Sequence, residues 1–361
     1  MIHTILHYSI MGIILCFFAF ILLFKSEYCQ NGNSQFFDIH TSGAMRGFWC
    51  LIVILVHIPP QYQNTIQDMI GSFGYIGVTF FFMTSAYGLS ITLHKRPDSI
   101  ATFWKTRLPK LLIPNWTANI FFSLVFIILF LLYAILIQYE LDVIQLIRSE
   151  LNILYLIEID GWILWLLGCY FIFWFCHKFI PEKHRIIMIC VAIFGGSISL
   201  YIARFILTDN PGGWCTESIG FIWGILLAEK YDVIKEYFTE KWPVKVILSC
   251  CISLIIGLLY LKFKTVVFWG AYLLKIILGV SILCFILILN CKIKIGNSIV
   301  KYLGKVSFEV YLIHGYVFAV TAFIFPQITS GPFIIISMAL TIFFASVVHK
   351  LSQALLSKIH L

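Results

Sequence analysis

The feature that most restricts the fold of this sequence is a series of apolar runs, each close to twenty residues long. An α-helix of about twenty residues spans the hydrocarbon core of a bilayer, whereas the strands of a membrane β-barrel are shorter and alternate apolar with polar side chains. The chain is 61% hydrophobic and only 12% charged, a composition that a soluble domain cannot bury. The sequence therefore predicts an all-α fold, a polytopic bundle of membrane-spanning helices.

We predict about eleven transmembrane helices, with ten as the alternative count. Their approximate positions are residues 5–24, 44–60, 74–93, 113–137, 162–180, 186–206, 214–230, 244–261, 267–290, 306–325 and 332–355. The first run lacks the basic start and the small-residue cleavage site of a signal peptide, so we expect it to remain in the protein. Residues 1–37 would then form an N-terminal transmembrane helix with a short loop, and residues 38–361 the main membrane-embedded bundle.

The distribution of basic residues predicts how the bundle is oriented. When the runs are numbered from an outer N-terminus, 20 of the 25 Lys and Arg residues lie on the inner side, four lie on the outer side and Lys275 lies inside a span. Cytoplasmic loops of membrane proteins carry an excess of Lys and Arg. We therefore expect a multi-pass protein of the cell membrane with its N-terminus outside and its C-terminus in the cytoplasm. The net charge of +8 reflects this bias, and we expect no nucleic-acid partner.

The run "MRGFWCLIVILVH" carries an arginine and a histidine at its two ends, at positions 46 and 57. Eleven steps of about 100° bring Arg46 and His57 within about 20° of one helical face, with a rise of roughly 16 Å between them. Ionisable side chains inside a membrane are costly and are functional by default. Arginine suits phosphate, and histidine can take up a proton near neutral pH. The alternatives are an arginine at the membrane interface and a helix-end histidine bonded to a carbonyl group.

A second candidate region is "FWKTRLPKLLIPNW", residues 103–116, which contains the densest group of basic residues. Arg107 and Lys110 belong to this group, at the predicted cytoplasmic boundary. Cations there can bind phosphate groups. The alternative is a loop that follows the positive-inside rule and touches anionic lipid.

Three other polar residues interrupt apolar runs. Ser85, in "GYIGVTFFFMTSAYGLS", can hydrogen-bond a neighbouring helix or a ligand. Glu217, in "GGWCTESIGFIWG", enters its run from the outer side and would orient an imidazole, bind a sugar hydroxyl or lie at the interface. Lys275 would pair with Glu217 or Glu309, or extend its ammonium group toward the membrane surface.

The late run "SFEVYLIHG" contributes Glu309 and His314 as secondary candidates for substrate binding. Five residues separate them, which is about 140° on a helix, so we expect them on different faces. Lys305 precedes Glu309 by four residues, and a simple ion pair between these two is the alternative to a functional role.

The longest predicted outer connection, residues 138–162, is acidic and amphipathic. It would form either a helix that lies on the membrane surface over a substrate entrance or a connection packed against the bundle. No soluble domain of any size is evident in the sequence. We therefore expect any activity to lie within the membrane bundle.

Five segments resemble the motifs of the acyltransferase family 3 membrane proteins and occur in that family's order. They are "AMRGFWCLIVILVH", "GVTFFFMTSAYGL", "FWKTRLPKLLIP", "LWLLGCY" and "LGKVSFEVYLIHGYV". The first is similar to the family's R-x10-H spacing, and the last to its S-x-x-I-Y-L-x-H signature. Two positions depart from the pattern. Ala86 stands where the family usually has glycine, and Lys110 stands where it usually has arginine. Lysine keeps the charge but lacks the planar fork of arginine.

The resemblance implies transfer of an acyl group, usually acetyl, from cytoplasmic acyl-CoA to a hydroxyl of a carbohydrate or another acceptor at the membrane. Acyl-CoA, with acetyl-CoA as the expected form, would be the co-substrate, and no metal is expected. Arg46, Arg107 and Lys110 would hold the phosphates of CoA. His57 and Arg46 would be the catalytic residues, and His57 would either deprotonate the acceptor or carry the acyl group. The expected partners are membrane lipids and a carbohydrate or glycolipid acceptor, such as an envelope polysaccharide or its lipid-linked precursor.

Two other functions are compatible with the same polar residues. A transporter or flippase for a lipid-linked or acidic solute would line its pathway with them and make no bond. Such proteins favour inverted repeats and broken helices, and the sequence shows no clear repeat. A non-catalytic membrane scaffold is the third alternative, and the predicted arginine and histidine on one face argue against it.

Overall fold

A computed structural model describes residues 20–30, 32, 36–137, 143–208 and 213–359 of the chain. The predicted all-α fold is confirmed for these residues, because helices dominate and the sheet they contain has only two short strands. Apolar runs become helices in lipid because a helix satisfies its own backbone hydrogen bonds.

Short connections join the α-helices. In chain order the helices are α1 (Ile39–Val56), α2 (Thr65–Gly71), α3 (Tyr75–Lys95), α4 (Phe103–Ile137), α5 (Val143–Glu150), α6 (Ile153–Leu156), α7 (Gly161–Phe179), α8 (Glu182–Thr208), α9 (Ile219–Glu229), α10 (Tyr231–Thr239), α11 (Trp242–Phe263), α12 (Lys275–Asn290), α13 (Ser298–Ile324) and α14 (Ser330–Lys358). Two 3-10 turns, Pro60–Tyr62 and Pro97–Ile100, and a π-helical turn, Trp269–Leu274, lie between them. Strands β1 (Glu27–Tyr28) and β2 (Ile293–Lys294) pair antiparallel.

Eight helical segments of the described chain are long and apolar enough to cross a membrane. They are Gln67–Lys95, Phe103–Ile137, Val143–Phe179, Glu182–Thr208, Trp242–Phe263, Trp269–Asn290, Ser298–Ile324 and Ser330–Lys358. Two shorter apolar helices, His40–Val56 and Ile219–Glu229, coincide with two further predicted runs. The predicted run 5–24 lies almost wholly outside the described residues, so the count of eleven stays a prediction.

Helix α4 is longer than a bilayer requires. Its 35 residues extend over about 52 Å, whereas the hydrocarbon core is about 30 Å thick. The first turns of α4 carry Lys105, Arg107 and Lys110, and its last turn carries apolar side chains. Because charged groups avoid hydrocarbon, we infer that the basic end of α4 extends into the headgroup region.

The described chain divides into two compact units. The first unit contains the described residues up to Val56 together with Thr65–Ala101 and Trp165–Lys305. The second unit contains His57–Asn64, Thr102–Leu164 and the described residues from Val306 onward. Helices α7 and α13 contribute residues to both units.

In the first unit, α9 packs closely along α3 because two of its residues are glycines. A Cβ atom at Gly220 would collide with the carbonyl oxygen of Thr79, and one at Gly224 would collide with the carbonyl oxygen of Met83. Small residues four positions apart allow this close approach of helices in membranes. The absence of a side chain at these two positions therefore sets the α3–α9 contact.

In the second unit, aromatic side chains join α4, α13 and α14. The rings of Phe122 and Tyr316 stack with centroids 5.1 Å apart, and the ring of Phe344 lies edge-on to Phe122 at 5.8 Å. In the 3-10 turn that follows α1, the ring of Tyr62 stacks on Phe333 with centroids 3.8 Å apart. These contacts fix that turn, and with it the residues just before it, against α14.

We expect Gly224→Val to lower the melting temperature of the detergent-purified protein, because the new side chain would collide with Met83 and Ala86 in α3. Overpacking of this kind typically costs about 1–3 kcal/mol. Heating followed by size-exclusion chromatography measures the change. Gly88→Val is the matched control, since a Cβ atom at Gly88 meets nothing within 4 Å. Equal losses in both variants would contradict the close α3–α9 contact.

Candidate active site

Arg46 lies within α1 and is half-buried. The next residue, Gly47, lies against the start of α13, where the backbone of Val300 and Gly304 leaves no room for a side chain. Such close backbone contact holds this part of α1 firmly in the first unit. The guanidinium group of Arg46 is therefore carried by a rigid element.

His57 directly follows Val56, the last residue of α1. Pro59 and Pro60 follow after Ile58 and lack the backbone N–H groups that a continuing helix would need. Arg46 and His57 belong to different units, and α1 ends one residue before His57. The shared helical face that the eleven-residue spacing suggests stays a prediction.

The imidazoles of His57 and His314 lie against each other in the second unit. Their ring centroids are 4.7 Å apart and their planes are inclined by 51°. His57 is exposed and His314 is half-buried. Both histidines are candidates from the sequence, but their contact is not predictable from it, because it joins α13 to the short loop that follows α1. We call these two residues the histidine pair.

The loop that carries His57 is held by several contacts within the second unit. Ile58 is buried, and the side-chain amide of Gln63 donates a hydrogen bond to the carbonyl oxygen of Ile58 at 2.9 Å. The amide of Asn64 donates to the hydroxyl of Ser330, at the start of α14, at 2.9 Å. His57 is therefore positioned by a short, well-anchored loop.

The hydrogen bond of His314 defines its tautomer. Nδ1 of His314 lies 3.1 Å from the carbonyl oxygen of Val310. A carbonyl oxygen can only accept hydrogen bonds, so in the neutral ring Nδ1 carries the proton and Nε2 carries the lone pair. The ring of Phe318 packs edge-on to His314 at 5.8 Å. Nε2 of His314 is therefore available as a hydrogen-bond acceptor.

Glu309 precedes His314 on α13 and has a different neighbour. Its Oε1 lies 2.8 Å from Nδ1 of His349 on α14, and Glu309 is only 2% exposed. His349, and not Lys305, is thus the partner of this carboxylate in the second unit. The separate partners of Glu309 and His314 confirm the prediction that they lie on different faces of the helix. Sequence reasoning did not identify His349, because a histidine next to a lysine at the end of an apolar run is typical of a membrane interface and does not indicate a buried partner.

Glu217 and Lys275 form an ion pair in the first unit, with Oε1 2.7 Å from Nζ. Of the two carboxylates considered for Lys275, Glu217 is the partner and Glu309 is not. The second carboxylate oxygen of Glu217 accepts a hydrogen bond from the hydroxyl of Thr216 at 2.7 Å. The ammonium group of Lys275 also lies 4.8 Å from the ring centre of Tyr75. Both carboxylate oxygens are therefore bound within the protein.

The remaining candidates lie on two helices. Ser85 is half-buried on α3 in the first unit. Arg107 and Lys110 lie near the start of α4 in the second unit, three residues apart and therefore on one face. Arg107 is half-buried and Lys110 is exposed. The second unit thus contains both the histidine pair and two of the three predicted phosphate-binding cations.

Helix α4 relates the position of these cations to that of the histidine pair. Asn119 follows Arg107 by twelve residues, which is about 18 Å along the helix. The Oδ1 atom of Asn119 accepts a hydrogen bond from the hydroxyl of Tyr316 at 3.1 Å. Tyr316 is two residues beyond His314 on α13. Along α4, Arg107 and Lys110 therefore lie roughly 18 Å and 14 Å from the level of Tyr316, which is two residues from His314.

Sequence reasoning missed a group of polar side chains on α4 that hold the segment before α7. Asn115 and Asn119 donate to the carbonyl oxygen of Glu158 at 2.6 and 3.0 Å, and Trp116 donates to that of Ile157 at 3.1 Å. A signal was available, because two asparagines four residues apart in an apolar run need hydrogen-bond partners. Which partners they find depends on the tertiary fold.

The segment that α4 holds is non-helical after Leu156, although it lies beside the middle of a long apolar helix. Within a membrane, non-helical backbone persists only where protein covers it or water reaches it. Here the side-chain amides of α4 bind the carbonyl groups, while the side chains of Glu158 and Asp160 are exposed. The end of the predicted outer connection, around Ile157 and Glu158, is therefore packed against α4, as the second of the two expectations states. For residues 143–154, which are mostly exposed, both expectations stay open.

Comparison with protein families gives one match, an acyltransferase domain of acyltransferase family 3, over residues 39–350. No curated protein and no solved structure gives a significant match. The matched range contains Arg46, His57 and His314, and it covers most of the chain. The resemblance found in the sequence motifs is thereby confirmed: this multi-pass membrane protein belongs to acyltransferase family 3.

Proposed function

We propose that this protein is an integral-membrane O-acyltransferase. It would transfer an acyl group, in the first instance acetyl, from cytoplasmic acyl-CoA to a hydroxyl of a surface or envelope glycan or of its lipid-linked precursor. The observation that carries the proposal is the histidine pair, in the same compact unit as Arg107 and Lys110. This unit combines a proton acceptor with cations suited to phosphate.

In the proposed reaction His57 acts as the general base. It takes the proton of the acceptor hydroxyl while the oxygen attacks the thioester carbonyl carbon. The C–S bond then breaks, and the proton passes to the sulfur of CoA, so no proton is gained or lost overall. His314, with its lone pair at Nε2, offers the proton a second site. Two charged imidazoles with centroids 4.7 Å apart would repel each other, so the pair holds one proton more readily than two.

His57 can also act as an acyl carrier, and the atoms balance equally well. The imidazole would then attack the thioester, CoA would leave with the proton as a free thiol, and the acceptor hydroxyl would attack the acyl-imidazole. A labelled acyl group that remains on the protein in the absence of acceptor distinguishes this route from general-base catalysis.

The donor would bind with its phosphates on Arg107 and Lys110. The pantetheine arm joins the phosphates of CoA to its thioester and is long enough to bridge the roughly 14 to 18 Å along α4 between these cations and the level of Tyr316, two residues from His314. Arg46 is the third proposed phosphate ligand, because its guanidinium group can bind two phosphate oxygens at once.

The acceptor would approach along the segment that α4 holds near Glu158. This segment brings non-helical backbone and exposed carboxylates close to Tyr316, two residues from His314. Lipid tails cannot solvate such groups. Hydroxyl groups donate hydrogen bonds to carboxylate and carbonyl oxygens, so a hydroxyl-rich acceptor suits this route.

We expect His57→Ala and Arg46→Ala each to lower acyl transfer about 100-fold or more, because a positioned base and a fixed cation are both lost. Arg46→Lys should restore little activity, since lysine lacks the bidentate fork. Mass spectrometry of glycans from cells that produce each variant measures the added acyl groups. Membrane insertion is checked in the same cells.

His184→Ala is the control for these variants, because His184 is an exposed histidine at the start of α8. Near-normal product from His57→Ala in protein that reaches the membrane would contradict the catalytic role of His57. If glycans from cells with and without the wild-type chain have the same acylation, the proposed function itself is wrong.

We expect the double variant Arg107→Gln/Lys110→Gln to raise the apparent KM for acyl-CoA by about tenfold or more and to leave the KM for the acceptor unchanged. Each lost hydrogen bond to a charged group costs about 1.5–3 kcal/mol. The measurement is the transfer rate against acyl-CoA concentration in proteoliposomes. Lys178→Gln/Lys183→Gln removes two exposed charges from the same predicted side as a control. An unchanged KM for acyl-CoA in the test variant would mean that Arg107 and Lys110 do not bind the donor and only follow the positive-inside rule.

We expect Gln63→Cys, on a cysteine-free background, to react with an impermeant thiol reagent added outside the cell, and Ser99→Cys to react only after permeabilisation. The 20-to-4 bias of basic residues predicts that these two positions lie on opposite sides of the membrane. The opposite labelling pattern would invert the orientation and favour an acceptor met from the cytoplasm. Labelling of both positions from one side would mean that the chain between them does not cross the membrane.

A further inference from the structure

A second contact between titratable side chains lies on the helix that carries His314. Oε1 of Glu309 on α13 lies 2.8 Å from Nδ1 of His349 on α14. Glu309 is 2% exposed, and its side chain and that of His349 are exposed by 3% and 14%. The proposed reaction gives neither residue a role. Removing ionisable side chains from water costs free energy, so their burial needs an explanation.

The carboxylate of Glu309 depends on this one contact. Its other oxygen, Oε2, is buried and has no hydrogen-bond partner among the residues that the structure describes. A buried carboxylate with one oxygen unpaired has lost most of its hydration, so the bond from His349 is the main compensation. Such a bond is directional, and it therefore ties one face of α13 to a defined point on α14.

The geometry of α13 links this bond to the histidine pair. Glu309 and His314 are five residues apart, about 7.5 Å along the axis and about 140° around it. A rotation of α13 about its axis that stretched the Glu309–His349 bond would therefore also move the His314 ring from its place beside His57. The hydrogen bond from Tyr316 to Asn119 also restrains α13, about two turns further along the helix. The apolar contacts of α13 are less directional and resist such a rotation less well.

We propose that Glu309 and His349 form a positioning pair that sets the rotation of α13 and so holds His314 against His57. The proposal rests on the proposed function, because it assigns the histidine pair to acyl transfer. The positioning pair touches no substrate and carries no proton of the reaction. It acts through the place that it gives to the His314 ring.

The test separates the geometry of this bond from its charge. Glu309→Gln keeps an oxygen acceptor, and His349→Asn keeps an N–H donor close to the position of Nδ1. Glu309→Leu/His349→Leu removes both polar groups together, so it leaves no unpaired charge and should still fold. Thr341→Val is the matched control, because it removes a buried hydroxyl from α14 without changing the pair. Size-exclusion chromatography verifies the folding of each variant.

We expect the double leucine variant to lower kcat about 10- to 100-fold, as misplacement of a catalytic group by about 1 Å does, with the KM for acyl-CoA changed less than about twofold. Glu309→Gln, His349→Asn and Thr341→Val should each keep kcat within about threefold of wild type. A folded double leucine variant with wild-type kcat would overturn the proposal. A loss in Glu309→Gln as large as in the double leucine variant would also overturn it, because charge and not geometry would then be needed.

A readout without catalysis tests the same point. We expect the chain with His57→Cys/His314→Cys to form a disulfide between these positions under mild oxidation, as mapped by peptide mass spectrometry. Adding Glu309→Leu/His349→Leu to that chain should slow its formation about tenfold or more. An unchanged rate would overturn the positioning role. If the wild-type protein transfers no acyl group, the proposed function fails, while the disulfide comparison still decides whether Glu309 and His349 position His314.

Discussion

Hydrocarbon offers no hydrogen-bond partners, and the arrangement of polar groups in this bundle depends on that constraint. Two clusters show how the chain meets it. In the first unit, Lys275 and Thr216 bind the two carboxylate oxygens of Glu217. In the second unit, Asn115 and Asn119 bind backbone carbonyl oxygens that a helix would otherwise have satisfied itself. The positions of polar side chains in these helices therefore follow from the hydrogen bonds and ion pairs that they form.

The same constraint distinguishes two histidines that the chemistry of the side chain alone would treat alike. His349 lies against a buried carboxylate, so its Nδ1 proton is used to compensate a charge. The Nδ1–H group of His314 donates a hydrogen bond to a backbone carbonyl oxygen, and the ring contacts a second imidazole. The first environment suits a fixed structural link, and the second is the one to which the proposed reaction assigns proton transfer. The surroundings, and not the residue type, separate the two roles.

Sequence reasoning identified the ionisable residues well and their neighbours poorly. Arg46, His57, Glu217, Glu309 and His314 stand out because each interrupts an apolar run. Their partners are hundreds of residues away or on another helix, and periodicity within one helix carries no information about them. Local spacing therefore suggested Lys305 for Glu309, although the structure gives this carboxylate His349. Lys275 shows the same limit, because the sequence left it with two possible carboxylates.

The sequence by itself determined that this is a multi-pass helical membrane protein, because it contains many apolar runs of about twenty residues and too few charged residues to cover them in water. It also determined the family, since motifs that each lie within one helix can be recognised in the sequence without any knowledge of how the helices pack. Only the tertiary structure decided that His57 meets His314, that His349 binds Glu309 and that α4 holds the segment before α7. These contacts join separate helices, and helix packing depends on the shape of whole surfaces, as the glycines of α9 against α3 show.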